Sequence, residues 1–296
     1  MKTLITILIL TINLVAHCSE QPQNRKENLL NEQKKKLNAF AYYGGKYVLV
    51  PQLIKMIPEH KTCVEVFGGA GSFTLNKPAS KVEVLNDINS DVVNFFRVLR
   101  NEPMELFKLL KLTPYARDEW FACKTHIAFE KGDVEKARKF FVKHQQGFAG
   151  LGHSWGYTIS RSSATTFANK AEMLMHVAKR LRTVQIENRD YRFILNNYCK
   201  NNTIFAYLDP PYMHEARVTT NDYEFEMSAD DHNEMLGMVK KSKAKILISG
   251  YASDLYDKKL SKWNRKEIEV TCTASYSQNR TTQPKRTEVL WWNYKL

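Results

Sequence analysis

Three features of the chain predict an α/β fold built on a mostly parallel sheet with helices on both faces. Short, β-branched apolar runs alternate with stretches of helical spacing. The glycine-rich and acidic motifs fall directly after those runs, where an open α/β sheet binds its ligands. The chain has 296 residues, 43% of them hydrophobic and 11% aromatic, which is enough to bury a sizeable core.

Lys61 to Val66 reads as a first buried strand and Lys81 to Leu85 as a second, joined through the loop Phe67-Gly68-Gly69-Ala70-Gly71-Ser72. From Ile88 to Arg100 the apolar positions Val92, Val93, Phe96 and Leu99 have helical spacing, which puts Asn86-Asp87 at a strand's carboxyl end. A strand over Ile204 to Leu208 ends at Asp209. A helix over Ala229 to Lys241, a strand over Lys245 to Ser249 and a closing strand over Glu288 to Trp292 complete the expected order. Pro103 to Lys200 is too long for a crossover and is expected to be a largely helical insertion. The predicted organisation is therefore a leader and polar lead-in over 1–38, a core domain from 39–102 and 201–296, and an inserted region over 103–200.

Each motif has a chemical use at its place. In Asp209-Pro210-Pro211-Tyr212 neither proline donates a backbone hydrogen bond and both hold φ near about −65°, so the chain leaves the sheet stiffly with its carbonyls available. Asp209 and the Pro210 carbonyl suit the two N–H donors of a planar amine, and the Tyr212 ring suits the heterocycle that carries it. On this reading the ring alone matters, and Phe could replace Tyr212. Taken alone, the tetrapeptide also reads as an ordinary Pro-Pro turn. Gly68, Gly69 and Gly71 allow close backbone approach to a ligand, and an acid on the next strand tip accepts the hydroxyls of a ribose. No Gly-Lys-Ser/Thr follows, so the loop is not a P-loop. Tyr42-Tyr43-Gly44-Gly45-Lys46 adds an aromatic, two flexible residues and a cation ahead of the first strand.

Lys and Arg number 44 against 31 Asp and Glu, a formal charge of +13, which points to a polyanionic partner. Much of the excess is local. Between Phe141 and Lys200 nine Lys or Arg (143, 161, 170, 179, 180, 182, 189, 192, 200) face three acids (172, 187, 190). Gln145 to Tyr157 adds amides and aromatics on a glycine-rich loop suited to phosphate and base contacts. Cys18, Cys63, Cys123, Cys199 and Cys272 contain no Cys-x-x-Cys pair and read as buried thiols of a reducing compartment. His144, His153, His214 and His232 have no metal-ligand spacing. Leu4 to Ala16 behind Lys2 looks like a short secretory signal. It conflicts with everything downstream and is read as a leader or start-site artefact ahead of a cytoplasmic protein.

Taken together and in this order, the segments Tyr42 to Lys46, Phe67 to Ser72, Leu85-Asn86-Asp87-Ile88-Asn89-Ser90-Asp91, Asp209 to Tyr212 and Arg286-Thr287-Glu288-Val289-Leu290-Trp291 resemble the Dam-type DNA adenine methyltransferases. The resemblance runs from about Ala41 to the C-terminus. One departure is Val66, where the family often has proline. The resemblance implies a Rossmann-like methyltransferase fold, S-adenosylmethionine as cofactor and no metal. It implies cofactor contacts from Tyr42, Lys46, Phe67, Gly68, Gly69, Gly71, Asp87 and Asp209, with the adenine held by Asp209, Pro210, Pro211 and Tyr212. It also makes the insertion a target-recognition region, with Lys143, Arg161, Arg180 and Arg182 expected on DNA. The implied partner is double-stranded DNA, whose adenine must be flipped out to react. A monomer is expected, with or without a cognate restriction nuclease. RNA adenine and protein glutamine amides would use a similar pocket, and a non-catalytic DNA-binding regulator is the alternative of a different class.

Overall fold

Among the described residues seven strands form a single sheet: β1 (Thr62–Glu65), β2 (Val82–Asn86), β3 (Val184–Glu187), β4 (Ile204–Leu208), β5 (Lys245–Gly250), β6 (Asn264–Thr271) and β7 (Lys285–Trp292). Their order across the sheet is β3-β2-β1-β4-β5-β7-β6. Strands β1 to β5 run parallel, while β7 is antiparallel to both β5 and β6. The computed structural model describes residues 36–42, 44–126, 130–213, 225–271 and 285–296. The expected leader (but for Lys36 to Asn38), Tyr43, Cys18, Cys272 and His214 lie outside the described residues.

The four central parallel strands are apolar on both faces because helices cover both. On one face Val64, Ala206, Ile246, Ile248, Val289 and Trp291 pack with α8 (Tyr191–Tyr198), α9 (Ala229–Lys241) and α10 (Asp254–Lys259). Their sequence neighbours Cys63, Phe205, Tyr207, Leu247 and Leu290 face the other way, onto Leu53 of α1 (Val50–Lys55) and Phe73 of α2 (Ser72–Asn76). A third cluster joins Leu85 and Val184 to α3 (Ser90–Asn101), α4 (Pro103–Leu112), α6 (Asp133–Gln145) and α7 (Ser163–Leu181). Helix α5 (Arg117–His126) adds Cys123 to that cluster. The chain moves from β1 to one side through β2 and β3, then to the other through β4 and β5. The strand order therefore reverses between β1 and β4, and their carboxyl ends open a crevice.

Two strands carry no plain sequence signal. The expected insertion over 103–200 re-enters the sheet at β3, so only α4 to α7 and their loops stand outside it. β3 is four residues long and β6 is largely charged, as edge strands often are. Cys63, Cys123 and Cys199 are buried free thiols, each pushed up to about 12 by burial.

Arg180, expected on DNA, has partners within the fold. Its Nη1 and Nη2 donate to Glu83 at 2.6 and 2.7 Å, and Nη2 also donates to the Thr74 carbonyl at 2.7 Å. Glu83 pairs with the buried Lys77 as well. The guanidinium thus fastens α7 to the amino end of β2, a strand's length from the crevice. Arg182 is exposed, but it lies just before β3 at that same far end. Replacing Arg180 with Ala leaves Glu83, 2% exposed, with Lys77 as its remaining cation. The substitution should lower the unfolding free energy by about 3 kcal/mol in urea titrations, while DNA affinity of the folded variant stays at the wild-type value.

Candidate active site

β1 ends at Glu65 and runs into the glycine turn, which is pressed against the tip of β2. A Cβ at Gly68 would lie 2.7 Å from Leu85 Cδ1 and 2.8 Å from the Asn86 carbonyl, so only glycine fits there. Gly69 (φ 48°) and Gly71 (φ 65°) adopt the left-handed conformation that turns the chain into α2. The Gly68 N–H donates to the Asn86 carbonyl at 2.7 Å, and the Gly69 N–H donates to Asp87 Oδ2 at the same distance. Asp87 Oδ1 accepts the Asn89 N–H at 2.8 Å, which fixes the carboxylate at the strand tip. Burial holds the Asp87 carboxyl above its usual range against these N–H groups. Asn86, fully buried, donates to the Val66 and Arg189 carbonyls and so stitches the ends of β1, β2 and the segment after β3.

Across the crevice stands Asp209, at the end of β4. Its Oδ1 takes the Lys46 ammonium at 3.0 Å and the Ser249 hydroxyl at 2.8 Å, with the Tyr212 hydroxyl at 3.5 Å. Among the described residues no partner falls on Oδ2. Burial raises the Asp209 carboxyl above its usual range despite the Lys46 charge. Burial alone would lower the Lys46 ammonium, but the Asp209 and Glu288 carboxylates outweigh it and hold it above the ordinary lysine value.

Both halves line one open cleft, bounded by Tyr42, Lys46, Glu65, Phe67, Asp87 and Asp209. Five of these six are residues expected from the sequence, and Gly68 and Gly69 line the cleft with them. Glu65 was not expected, since an acid inside a buried run reads as part of the strand. It accepts the Thr74 N–H at 2.9 Å, and burial pushes its carboxyl up to about 7. Tyr212 also departs from expectation. It is 6% exposed, its ring lies 4.3 Å from that of Tyr251 and 4.6 Å from Lys46 Nζ, and its hydroxyl donates to Glu288 at 2.6 Å.

The loop from Gln145 to Tyr157 docks beside Tyr42. Gln145 Oε1 accepts the Ala41 N–H at 3.1 Å, and a Cβ at Gly150 would lie 2.8 Å from the Ala41 backbone. His144 Nδ1 meets the Gly150 carbonyl at 2.8 Å, and burial pushes this imidazole down to about 4. Arg117 lies 4.6 Å over Trp155, which stacks on Tyr157. The tip presents Phe148, Tyr157 and the fully exposed Ile159. Lys143 is half-buried, its stem set against Gly152, and Arg161 is exposed just past the tip. No group of three His, Cys, Asp or Glu among the described residues is arranged to hold a metal ion.

A model of D12 class N6 adenine-specific DNA methyltransferases matches residues 42–274. The chain belongs to this family. It is 27% identical to the modification methylase StsI of Streptococcus sanguinis over 62% of its length, and spans 29% of that protein. It is 23% identical to the type II methyltransferase M1.LlaDCHI of Lactococcus lactis subsp. cremoris over 90% of its length, and spans 99% of that protein. A 70-residue stretch is 44% identical to the DNA adenine methylase of Vibrio cholerae and spans 25% of it. Family membership implies S-adenosylmethionine, and the cleft fits it. Gly68 and Gly69 line it with bare backbone, Asp87 is a fixed acceptor, and Glu65 adds an acid to the same lining.

If Glu65 faces the cofactor's cationic amino acid part, affinity follows its titration. Its carboxyl protonates as pH falls through about 7, and binding must then expel a proton. Calorimetric affinity for S-adenosylmethionine should therefore weaken below pH 7, by up to about tenfold per pH unit. Glu65→Gln should bind more weakly at pH 8 and lose this slope.

Proposed function

We propose that this protein methylates the exocyclic amine of an adenine flipped out of double-stranded DNA, acting as a monomer. The observation that carries this reading is that Asp209 and Pro211, from the acid-Pro-Pro-Tyr end of β4, and the Gly69–Asp87 corner of β1 and β2 line one cleft. The cofactor supplies an electrophilic methyl group. Asp87 and the glycine turn hold its nucleoside and amino acid parts, and Glu65 adds a negative charge on that side.

The amine of adenine is a poor nucleophile because its lone pair is delocalised into the ring. Asp209 Oδ2 accepts one of its N–H groups and the Pro210 carbonyl the other, which favours the pyramidal, nucleophilic geometry. Lys46 and Ser249 hold Oδ1, so the carboxylate cannot rotate away. As the nitrogen gains its fourth bond it becomes positive, and the adjacent carboxylate stabilises that charge. The raised carboxyl of Asp209 also makes it a ready acceptor for the proton the product amine must lose. Flipping costs a few kcal/mol, of which stacking on an aromatic ring returns about 1–3 kcal/mol. The tip of the 145–157 loop, with Lys143 and Arg161, forms the DNA surface beside the cleft. Names of type II and modification enzymes among the relatives support a cognate nuclease as a further partner.

Asp209→Asn keeps the volume and leaves Lys46 an acceptor, so the fold should survive by circular dichroism. Methyl transfer from labelled cofactor to unmethylated genomic DNA should drop by about 10²–10³-fold or more; near-wild-type turnover would remove Asp209 from the chemistry. On the DNA side, Lys143→Ala and Arg161→Ala should each lower the slope of log affinity against log salt by about 0.9 in anisotropy titrations. Arg182→Ala, at the far end of the strands, should leave that slope unchanged.

A further inference from the structure

β7 runs against its neighbours, and this direction brings an unexpected acid to the site. Val289 pairs with Gly250, the last residue of β5, so the preceding residues of β7 pass beyond the end of β5 and over the carboxyl edge of the sheet. Glu288 is the first of them, 6% exposed. It accepts the Tyr212 hydroxyl at 2.6 Å, from a tyrosine that belongs to the end of β4, two strands away. The same tyrosine ring touches Tyr251, whose hydroxyl accepts from Arg286 Nη1 at 3.1 Å. Tyr212 is thus gripped at its hydroxyl and along its ring by residues of β7 and of the turn after β5.

We propose that Glu288 is a positioning residue for methyl transfer, holding the phenol of Tyr212 and through it the ring plane that receives the target base. The inference rests on the functional reading above, with Tyr212 taken as the aromatic ring on which the flipped base stacks. A hydrogen bond to a carboxylate is about twice as strong as one between neutral groups. It fixes a ring that stacking alone leaves free to rock, so less order must be imposed when the base arrives. Glu288 also lies close enough to Lys46 for their charges to interact, which gives it a second conceivable role as a counter-charge. The two roles differ in what a neutral acceptor can replace. An amide oxygen accepts the phenol but carries no charge.

The test is a set of variants, Glu288→Ala, Glu288→Gln, Tyr212→Phe and the double Glu288→Ala/Tyr212→Phe, assayed by single-turnover methylation of unmethylated genomic DNA. Cofactor affinity and thermal midpoint are measured alongside. Glu288→Ala and Tyr212→Phe should each slow methylation by about tenfold or more, with the cofactor dissociation constant unchanged. The double variant should be no slower than the worse single, and Glu288→Gln should recover most of the rate. A wild-type rate in Glu288→Ala, multiplying losses in the double, or a Gln variant as slow as Ala would each overturn the role; the last would assign Glu288 to balancing Lys46. If wild-type protein methylates no adenine in any duplex, the functional reading itself fails, an outcome distinct from an active enzyme indifferent to Glu288.

Discussion

The buried pair of Lys46 and Asp209 organises this molecule's chemistry. Lys46 comes from the segment ahead of the first strand and Asp209 from the end of β4, far apart in sequence. An ion pair taken out of water is stable only when its remaining donors and acceptors are also met. Here Gly44 and Ser249 meet them, and Tyr212 and Glu288 stand next in line. The N-terminal segment, the tip of β4, the turn after β5 and the start of β7 are drawn together around one pair of charges. Both members of the pair line the cleft.

That arrangement depends on strand direction. Parallel β1, β2, β4 and β5 all deliver their carboxyl ends to one edge, which is why the glycine turn, Asp87 and Asp209 meet without long excursions. A seventh parallel strand would bring its carboxyl end to the same edge. The antiparallel β7 brings its beginning instead, so residues before its pairing with β5, Glu288 and Arg286 among them, come to the site from within a strand.

Much of this was legible in the residues. Asp209, Asp87 and the glycines carry a strand-end grammar in which a buried apolar run followed by an acid or glycine marks the ligand edge, and the structure has them there. What was not legible depends on long-range partners. Arg180 looks like any basic residue in a basic segment until Glu83, distant in sequence, claims it. Glu65 sits inside an apolar run, where one acid barely disturbs the pattern, and Glu288 sits between the polar start of β7 and its apolar run, where an acid reads as an exposed strand end. Tyr212 was readable as an aromatic but not as a hydrogen-bond donor. β3 and β6 escaped notice because an edge strand can be short or charged, without the double-sided burial that makes a central strand stand out.

The contact between Gly150 and Ala41 has a consequence for how such an enzyme can change. The base of the 145–157 loop is wedged against the segment that bears Tyr42 and Lys46, with no space for even a methyl group at Gly150. A mutation there is felt by the methyl-transfer pocket at once. Phe148, Tyr157 and, just past the loop, Ile159 stand in solvent and do not line the cleft. Substitutions at these outer positions escape the packing that constrains Gly150, so the loop's exposed surface can change while the wall of the pocket beneath it stays fixed.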